Sequence, residues 1–378
     1  MTYDPTTYTQ TQEVGFFERI GASLIGIPLG IVLIFFPISL LWWNEHRNVD
    51  AQQAIDMAMA QVISVPAGPV VAANNGKLIH VVGPTSASAV NDPALGVTLP
   101  GLVVAERRIE MYQWRERQSQ SANTNWGGGQ TVTSSVAYDK VWTGEALDSR
   151  AFRVPQGHIN PPMPARPARL IADDAKLGDF RLGPNTLAAL PSSGFQEVRP
   201  GKAPSGFVLE PVGGGLFRGK DPSVPSIGDV RVTYAGVPAG RTLTVMARQS
   251  ADGFTDQPMG RGTSILLASV GERSAQSLLD EKAEREATLT WLIRAGGVLV
   301  MAIGFMLLLG PLATLVSVVP VLGTLASSLT FDVALVLAAI LGAITIAVAW
   351  LVVHPLISIG LIVAALAIGG FYILIRRG

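Results

Sequence analysis

The sequence predicts an α+β membrane protein with an N-terminal transmembrane anchor, a large β-rich extracytoplasmic domain and a C-terminal cluster of three transmembrane helices. Three observations carry this expectation. The 378 residues are 48% hydrophobic and only 15% charged, against about 25% charged in ordinary soluble proteins. The apolar residues gather in two tracts, 20–43 and 289–375, from which charge is nearly absent. Between them the texture changes to short β-branched and aromatic runs punctuated by Gly, Pro, Asn and Asp.

Residues 1–19 read as a cytoplasmic tail and 20–43 as the first span, because a helix needs about 20 apolar residues to cross the hydrocarbon core. A cleaved signal peptide fits less well. The preceding stretch carries Asp4, Glu13, Glu18 and Arg19, and the apolar run ends in Trp42-Trp43-Asn44-Glu45 rather than in small residues. The paired tryptophans suit an aromatic belt. Pro28 and Pro37 are tolerable inside a membrane helix. At the other end, 289–310, 332–353 and 356–375 each read as a span. Residues 311–331, broken by Pro311 and Pro320, read as an apolar connector, with an interfacial position as the alternative. Asp332 reads as a capping residue at the start of the third span.

Four spans put both termini on one side, and Arg376-Arg377 places that side in the cytoplasm. Residues 44–288 then face outward. Ile55, Met59 and Val62 at helical spacing carry the anchor helix outward over 48–63. Strands are expected at 78–82, 102–117, 132–142, 230–234 and 243–248, and long loops with little regular structure over 160–225. Residues 271–288 read as a helix feeding the second span, so the domain is tethered at both ends.

Several runs resemble the transmembrane protein 43 (LUMA) family. The most specific is Glu110-Met111-Tyr112-Gln113-Trp114, preceded by Arg107-Arg108-Ile109. Phe16-Phe17-Glu18-Arg19, Asn44-Glu45 with Arg47, and Gly76-Lys77-Leu78-Ile79-His80-Val81-Val82-Gly83 also match. So do Asp92-Pro93, Gly157-His158 with Asn160-Pro161, Gly228-Asp229-Val230-Arg231-Val232, Tyr234-Ala235-Gly236 and Arg294-Ala295-Gly296. The matches run in order from residue 16 to about residue 375, and the composition fits a bacterial member. The resemblance implies four spans with a large lumenal domain between the first two. It also implies an organiser that oligomerises and binds other envelope proteins, in the endoplasmic reticulum and inner nuclear membrane of animals or the plasma (inner) membrane of a bacterium. The connector here has no basic residue and the chain ends at Arg376-Arg377-Gly378, departures that loosen any transfer of nuclear-envelope partners.

The chemistry-bearing residues form few constellations. With no cysteine there are no disulfides, thiolate metal sites or cysteine nucleophiles. A formal net charge of zero gives no field for nucleic acid. Gly214 to Lys220 approaches a P-loop, but Asp221 stands where a hydroxyl must hold magnesium, so a glycine-rich loop is the better reading. His46, His80, His158 and His354 have no metal-ligand spacing, and His80 reads as a satisfied polar residue in a strand. No nucleophile elbow appears. No cofactor and no catalytic residue is expected.

Two places invite contacts. Alternation along 107–117 puts Arg108, Glu110, Tyr112, Trp114 and Glu116 on one face and Ile109 and Met111 on the other. The plain expectation is that the aromatics pack on a neighbouring strand; the sharper one is a surface for a partner or a lipid headgroup. Arg294 sits a turn inside the second span, where it either snorkels to the headgroups or pairs with a lipid phosphate or Glu45. The leading functional expectation is a non-enzymatic membrane organiser, homo-oligomeric, in contact with membrane lipids and other membrane proteins. Small residues such as Gly296-Gly297, Gly304 and Gly342 suit close helix packing, between copies or within one. The rival is a lipid or small-ligand sensor or modifying enzyme with a cavity near the bilayer, lined by groups such as His80 or Tyr112. Transport is disfavoured, since the spans hold almost no ionisable residues.

Overall fold

The computed structural model describes residues 7–210, 214–318 and 320–350. It is a mixed α+β membrane protein, with three helices long and apolar enough to cross a bilayer, within Phe16–Gln61, Ala275–Val316 and Leu329–Ala349. The described residues divide into a sheet unit, made of 53–117 and 136–282 with Thr7, and a helical unit, made of 8–52, 118–135 and those from 283 to 350.

In the sheet unit two sheets share one apolar core. The first runs Gln130–Thr143, Leu102–Thr124, Val230–Pro238, Leu216–Arg218, Val208–Leu209, with Gln196–Val198 and Ala168–Ile171 paired to its central strands. The second has Leu78–Ser86 and Thr242–Ser250 at its centre, paired antiparallel from Thr242↔Pro84 to Arg248↔Leu78. Strict alternation along 107–113 explains the packing. Arg107, Ile109, Met111 and Gln113 are buried, whereas Arg108 is exposed and Glu110, Tyr112 and Trp114 half-buried. Ile109 and Met111 join Ile79, Val81, Val230, Val232, Leu243 and Val245 in the core.

Leu102–Thr124 and Val230–Pro238 stay in register from Met111↔Val230 to Val104↔Val237. Gly236 is required there, because a Cβ would stand 2.3 Å from the Val104 carbonyl oxygen. One buried polar cluster crosses this core. Arg107 pairs with Asp92, Tyr234 donates its hydroxyl to Asp92 at 2.8 Å, and the Arg107 Nη2 donates to the Arg166 carbonyl at 2.6 Å. Burial, then Asp92, pushes the Tyr234 phenol far above its ordinary value, so the hydroxyl keeps its proton.

In the helical unit, the first helix (Phe16–Gln61, 46 residues) continues unbroken through Pro28 and Pro37. The second (Ala275–Val316, 42 residues) continues through Pro311. They pack antiparallel. Gly297 lies against Leu41, Gly304 against Gly30, and Gly310 approaches Ser23. The third helix (Pro320–Ala349) brings Ala338 into the same cluster with Ile34, Leu41, Met301 and Ala302. Phe17, Ile25, Phe35, Phe36 and Leu292 point outward, as lipid-facing residues do. Trp42, Trp43 and Trp291 stand exposed, as interfacial aromatics do.

The expected helical extensions are present but shorter, the first ending at Gln61 before the strand Ile63–Pro66 and the second beginning at Ala275, and each expected strand lies inside an observed one. Three expectations about local structure change. The stretch after residue 310 is mostly helical rather than irregular, since Pro311 is carried inside a helix and Pro320 opens the next, where its missing N–H costs nothing. Asp332 lies well inside the Pro320–Ala349 helix rather than at the start of one. Thr7–Val14, expected as tail, is a strand beside Gln130–Thr143. The span expected at 356–375 and the Arg376-Arg377 pair lie outside the described residues.

Candidate functional site

The exposed face of Leu102–Thr124 carries a row of charged and aromatic side chains, each set by the two-residue repeat of the strand. At its start Glu106 meets Arg169 and accepts from the Ser192 hydroxyl at 2.5 Å. Burial works to raise the Glu106 carboxyl. The bonds from Ser192 and Arg169 and the charges of Arg169 and Arg108 outweigh it and hold Glu106 below the usual carboxylate range. Arg108 follows, 61% exposed and 4.0 Å from Glu106, with most of its surface open to solvent.

Next, Glu110 accepts from Arg231 at 2.6 Å, across the Glu110↔Arg231 register pair. The Arg231 guanidinium also lies 4.6 Å over the Trp142 ring, and Trp142 packs on Tyr112 with centroids 5.4 Å apart. One step on, Lys140 sits 4.7 Å over Trp114, and Trp114 meets the edge of His158 at 4.8 Å. His158 stacks on Tyr138 at 3.8 Å, and the Tyr138 hydroxyl donates to Glu116 at 2.6 Å. The row is therefore an alternating ladder of cations and rings, which hold one another in fixed rotamers.

The strand's pairing ends in a defined way. The Asn160 side chain accepts from the Trp114 N–H at 2.7 Å and donates to the Trp114 carbonyl at 2.8 Å. It does there what a neighbouring strand otherwise does.

Arg108, Glu110, Tyr112 and Trp114 are thus brought together. Arg294 belongs to the helical unit and has its own partners. It bonds Glu45 through Nε to Oε1 at 2.8 Å and Nη2 to Oε2 at 2.6 Å, and its guanidinium lies 4.8 Å from the Trp291 ring. The Trp350 indole N–H also donates to Glu45. Beside them Arg47 pairs with Glu286 at 2.5 Å, and Asn44 donates to the Thr290 carbonyl. Glu45 was one of the partners expected of Arg294, and the two are paired.

Trp142, Lys140, Arg231, Tyr138 and His158 complete the ladder; of these the sequence had marked only Arg231 and His158, within runs resembling the family and not as contact residues. The signal lay in 132–142, whose alternation places Lys140 and Trp142 opposite Trp114 and Tyr112 once the two strands are paired. His80 accepts or donates through both ring nitrogens, to Ser64 at 3.1 Å and the Arg273 carbonyl at 2.9 Å, as expected of a satisfied strand residue. After Gly214-Gly215 the chain enters the strand Leu216–Arg218 rather than a helix, so no phosphate cradle forms. Two open cavities of about 490 and 520 Å³ lie in the sheet unit, one against Arg181, Asp252 and Phe254, the other against Gln113, Arg150 and Asn160. Neither is lined by His80 or Tyr112. Among the described residues no group of three or more His, Asp or Glu is placed to hold a metal ion.

The family model of transmembrane protein 43 matches residues 111–355. The chain belongs to that family. It is 28% identical to transmembrane protein 43 of Mus musculus, over 92% of this chain and 89% of the relative. The identity to the Homo sapiens protein is also 28%, over 95% and 91% of the two chains. The Drosophila melanogaster homolog is again 28% identical, over 89% and 90%. No solved structure matches the chain. The matched span begins at Met111 within the ladder strand and includes Trp114, Trp142, His158, Arg231 and Arg294.

Proposed function

We propose that this member of the transmembrane protein 43 family is a non-enzymatic organiser of its membrane. It self-associates and holds other membrane or envelope proteins through the sheet unit, which stands outside the cytoplasm. The observation that carries this reading is the ladder of Arg108, Glu110–Arg231, Tyr112–Trp142 and Lys140–Trp114. It is rigid, partly exposed and rich in the residue types that anchor protein interfaces. Its side chains are spent on one another in pairs rather than converging on a point where a substrate atom can react. Membrane lipids are the other partner, met by Phe35, Phe36, Trp43 and Leu292 on the helices.

The test is cross-linked co-purification of the full chain from native membranes, with Tyr112→Ala/Trp114→Ala beside the wild type. A stoichiometric protein partner that the double variant loses supports the organiser and locates its surface. A chain that comes down without protein, carrying one enriched lipid, overturns it in favour of a lipid sensor or lipid-modifying enzyme.

A further inference from the structure

One of the two open cavities of the sheet unit has a definite origin in the strand order. The strands Phe180–Arg181 and Gly253–Thr255 pair in parallel at one step only, Arg181↔Gly253. Gly253 eases that approach, because a Cβ there would stand 3.2 Å from the Arg181 carbonyl oxygen. The Arg181 N–H donates to the Asp252 carbonyl at 2.7 Å. The strands then part. The Leu182 N–H donates instead to the Ala175 carbonyl at 2.9 Å and the chain leaves through Gly183-Pro184, while Phe254 continues beside Gln249. Where they part a cavity of about 490 Å³ opens, lined by Arg181 and Leu182 from one strand's end and by Gly253 and Phe254 from the other. That is a size that holds a small ligand.

The lining is of two kinds. Ile171, Leu182 and Phe254 are apolar and buried or half-buried, and the Phe254 ring stacks on the buried Phe180 at 5.2 Å. Asp173, Arg181 and Asp252 are charged and exposed. Elsewhere in the sheet unit opposite charges so placed find each other. Arg231 takes Glu110, Arg169 takes Glu106, and at the second cavity Arg150 takes Asp148 through Nε at 2.9 Å and Nη2 at 2.8 Å. Arg181 does not. It stands more than 4.0 Å from both carboxylates, and none of the three side chains has a hydrogen-bond or ion-pair partner among the described residues. The turn that carries Asp252 is nonetheless fixed. Ala251 holds a left-handed conformation, φ 52°, uncommon for a residue with a Cβ. Its N–H donates to Asn75 Oδ1 at 3.0 Å, and its carbonyl accepts from the buried Gln249 amide at 3.3 Å. Such conformations persist where the surroundings enforce them, and they cluster at ligand sites.

We propose that this cavity binds a small zwitterion, a free α-amino acid with an apolar side chain. The ammonium is held by Asp173 and Asp252, the carboxylate by the Arg181 guanidinium, and the side chain by Phe254 and Leu182. Both charges of such a ligand meet unspent partners of opposite sign, and the separation of Arg181 from the two carboxylates leaves room for them. Other occupants fit less well. Two carboxylates against one guanidinium disfavour a plain anion, and the guanidinium repels the divalent cation that carboxylates by themselves invite. The cavity shares no residue with the ladder, so the binding is an activity beyond the holding of protein partners and stands or falls apart from it.

The purified full chain is dialysed to equilibrium against a mixture of the common amino acids. Any that it retains is compared with its amine-only and acid-only analogues, which for phenylalanine are phenethylamine and 3-phenylpropionate. The expected result is saturable retention of an apolar amino acid, one per chain, with each analogue about tenfold weaker or more, since each lacks one charge-assisted contact. Arg181→Gln should abolish the advantage of the amino acid over its amine, and Asp252→Asn its advantage over its acid. Arg181→Lys should restore part of the first. Both positions are exposed, and unfolding temperatures equal to the wild type check that the variants fold; the analogue comparison needs no variant at all. Retention of no amino acid above the level of the Arg181→Gln/Asp252→Asn double variant overturns the site. An amine bound as tightly as the amino acid, and indifferent to Arg181→Gln, overturns the zwitterion.

Discussion

Arg294 and Glu45 join the second helix to the first through two parallel hydrogen bonds, 2.8 and 2.6 Å long, with Glu45 1% exposed. Both charges are out of water, so neither is dispensable once the other is in place. Arg294→Leu leaves a buried, uncompensated carboxylate, and removal of one partner of such a pair costs about 3–5 kcal/mol. The expected outcome is a marked fall in thermal stability of the purified chain, with retained anionic lipid unchanged because the protein supplies the counter-charge. Arg294→Leu with Glu45→Gln should recover part of the loss. Unchanged stability with lost lipid would mean that Arg294 serves a phosphate instead.

Tyr234 tests the buried cluster of the sheet unit. Tyr234→Phe keeps the ring and removes the donor to Asp92, a loss of about 1–3 kcal/mol for an acceptor left short of a partner. The pH dependence has a definite sign. Burial and Asp92 raise the phenol in the folded chain, so the folded state holds the proton more tightly than the unfolded one. Its contribution is complete below the unfolded value of about 10 and is lost as pH rises beyond it. Denaturant titrations at rising alkaline pH should therefore fall more steeply for the wild type than for Tyr234→Phe.

The contrast between these two sites shows what the sequence made legible. Arg294 stood out because a cation inside an apolar run has few explanations, and Glu45 was close enough to the end of the first span to be one of them. The strand cores were legible because alternation at 107–113 is strict. The ladder was only half legible. Arg108, Glu110, Tyr112 and Trp114 declare their common face, but which rings and cations stand opposite depends on register with 132–142 and 230–234, and one strand's pattern does not set its neighbour's register. Thr7–Val14 was not legible as a strand, because Tyr-Thr-Gln-Thr-Gln-Glu has no apolar alternation. Its pairing comes from tertiary context, which overrides weak local preference.

Glu106 gives a prediction on the acid side. Its carboxyl is held below the usual range against the opposing effect of burial, by Ser192 and Arg169 bonds and by the charges of Arg169 and Arg108. A depressed carboxylate adds stability above its unfolded value of about 4.3, and that contribution disappears as pH falls through the folded value. The side chain is 20% exposed, so solvent screens part of the effect. Glu106→Gln should flatten the acid limb of the stability profile while leaving the alkaline limb driven by Tyr234 in place. An acid limb unchanged by the substitution would place the responsible carboxylate elsewhere.

Two glycines roughly two turns apart on the second helix should respond in opposite ways. A Cβ on Gly304 would stand 2.8 Å from the Gly30 carbonyl oxygen and 3.0 Å from the Ile34 nitrogen. Those are backbone atoms of the first helix and cannot step aside, so Gly304→Ala forces the helices apart, an overpacking cost of about 1–3 kcal/mol. Gly296 has nothing within 4 Å of its added Cβ. There Ala keeps the packing and gains about 0.8–1 kcal/mol of helix propensity. Thermal unfolding of the two variants in one detergent should therefore bracket the wild type, Gly304→Ala below and Gly296→Ala level or above. A loss at Gly296 equal to that at Gly304 would show that Gly296 also faces a close neighbour beyond the described residues.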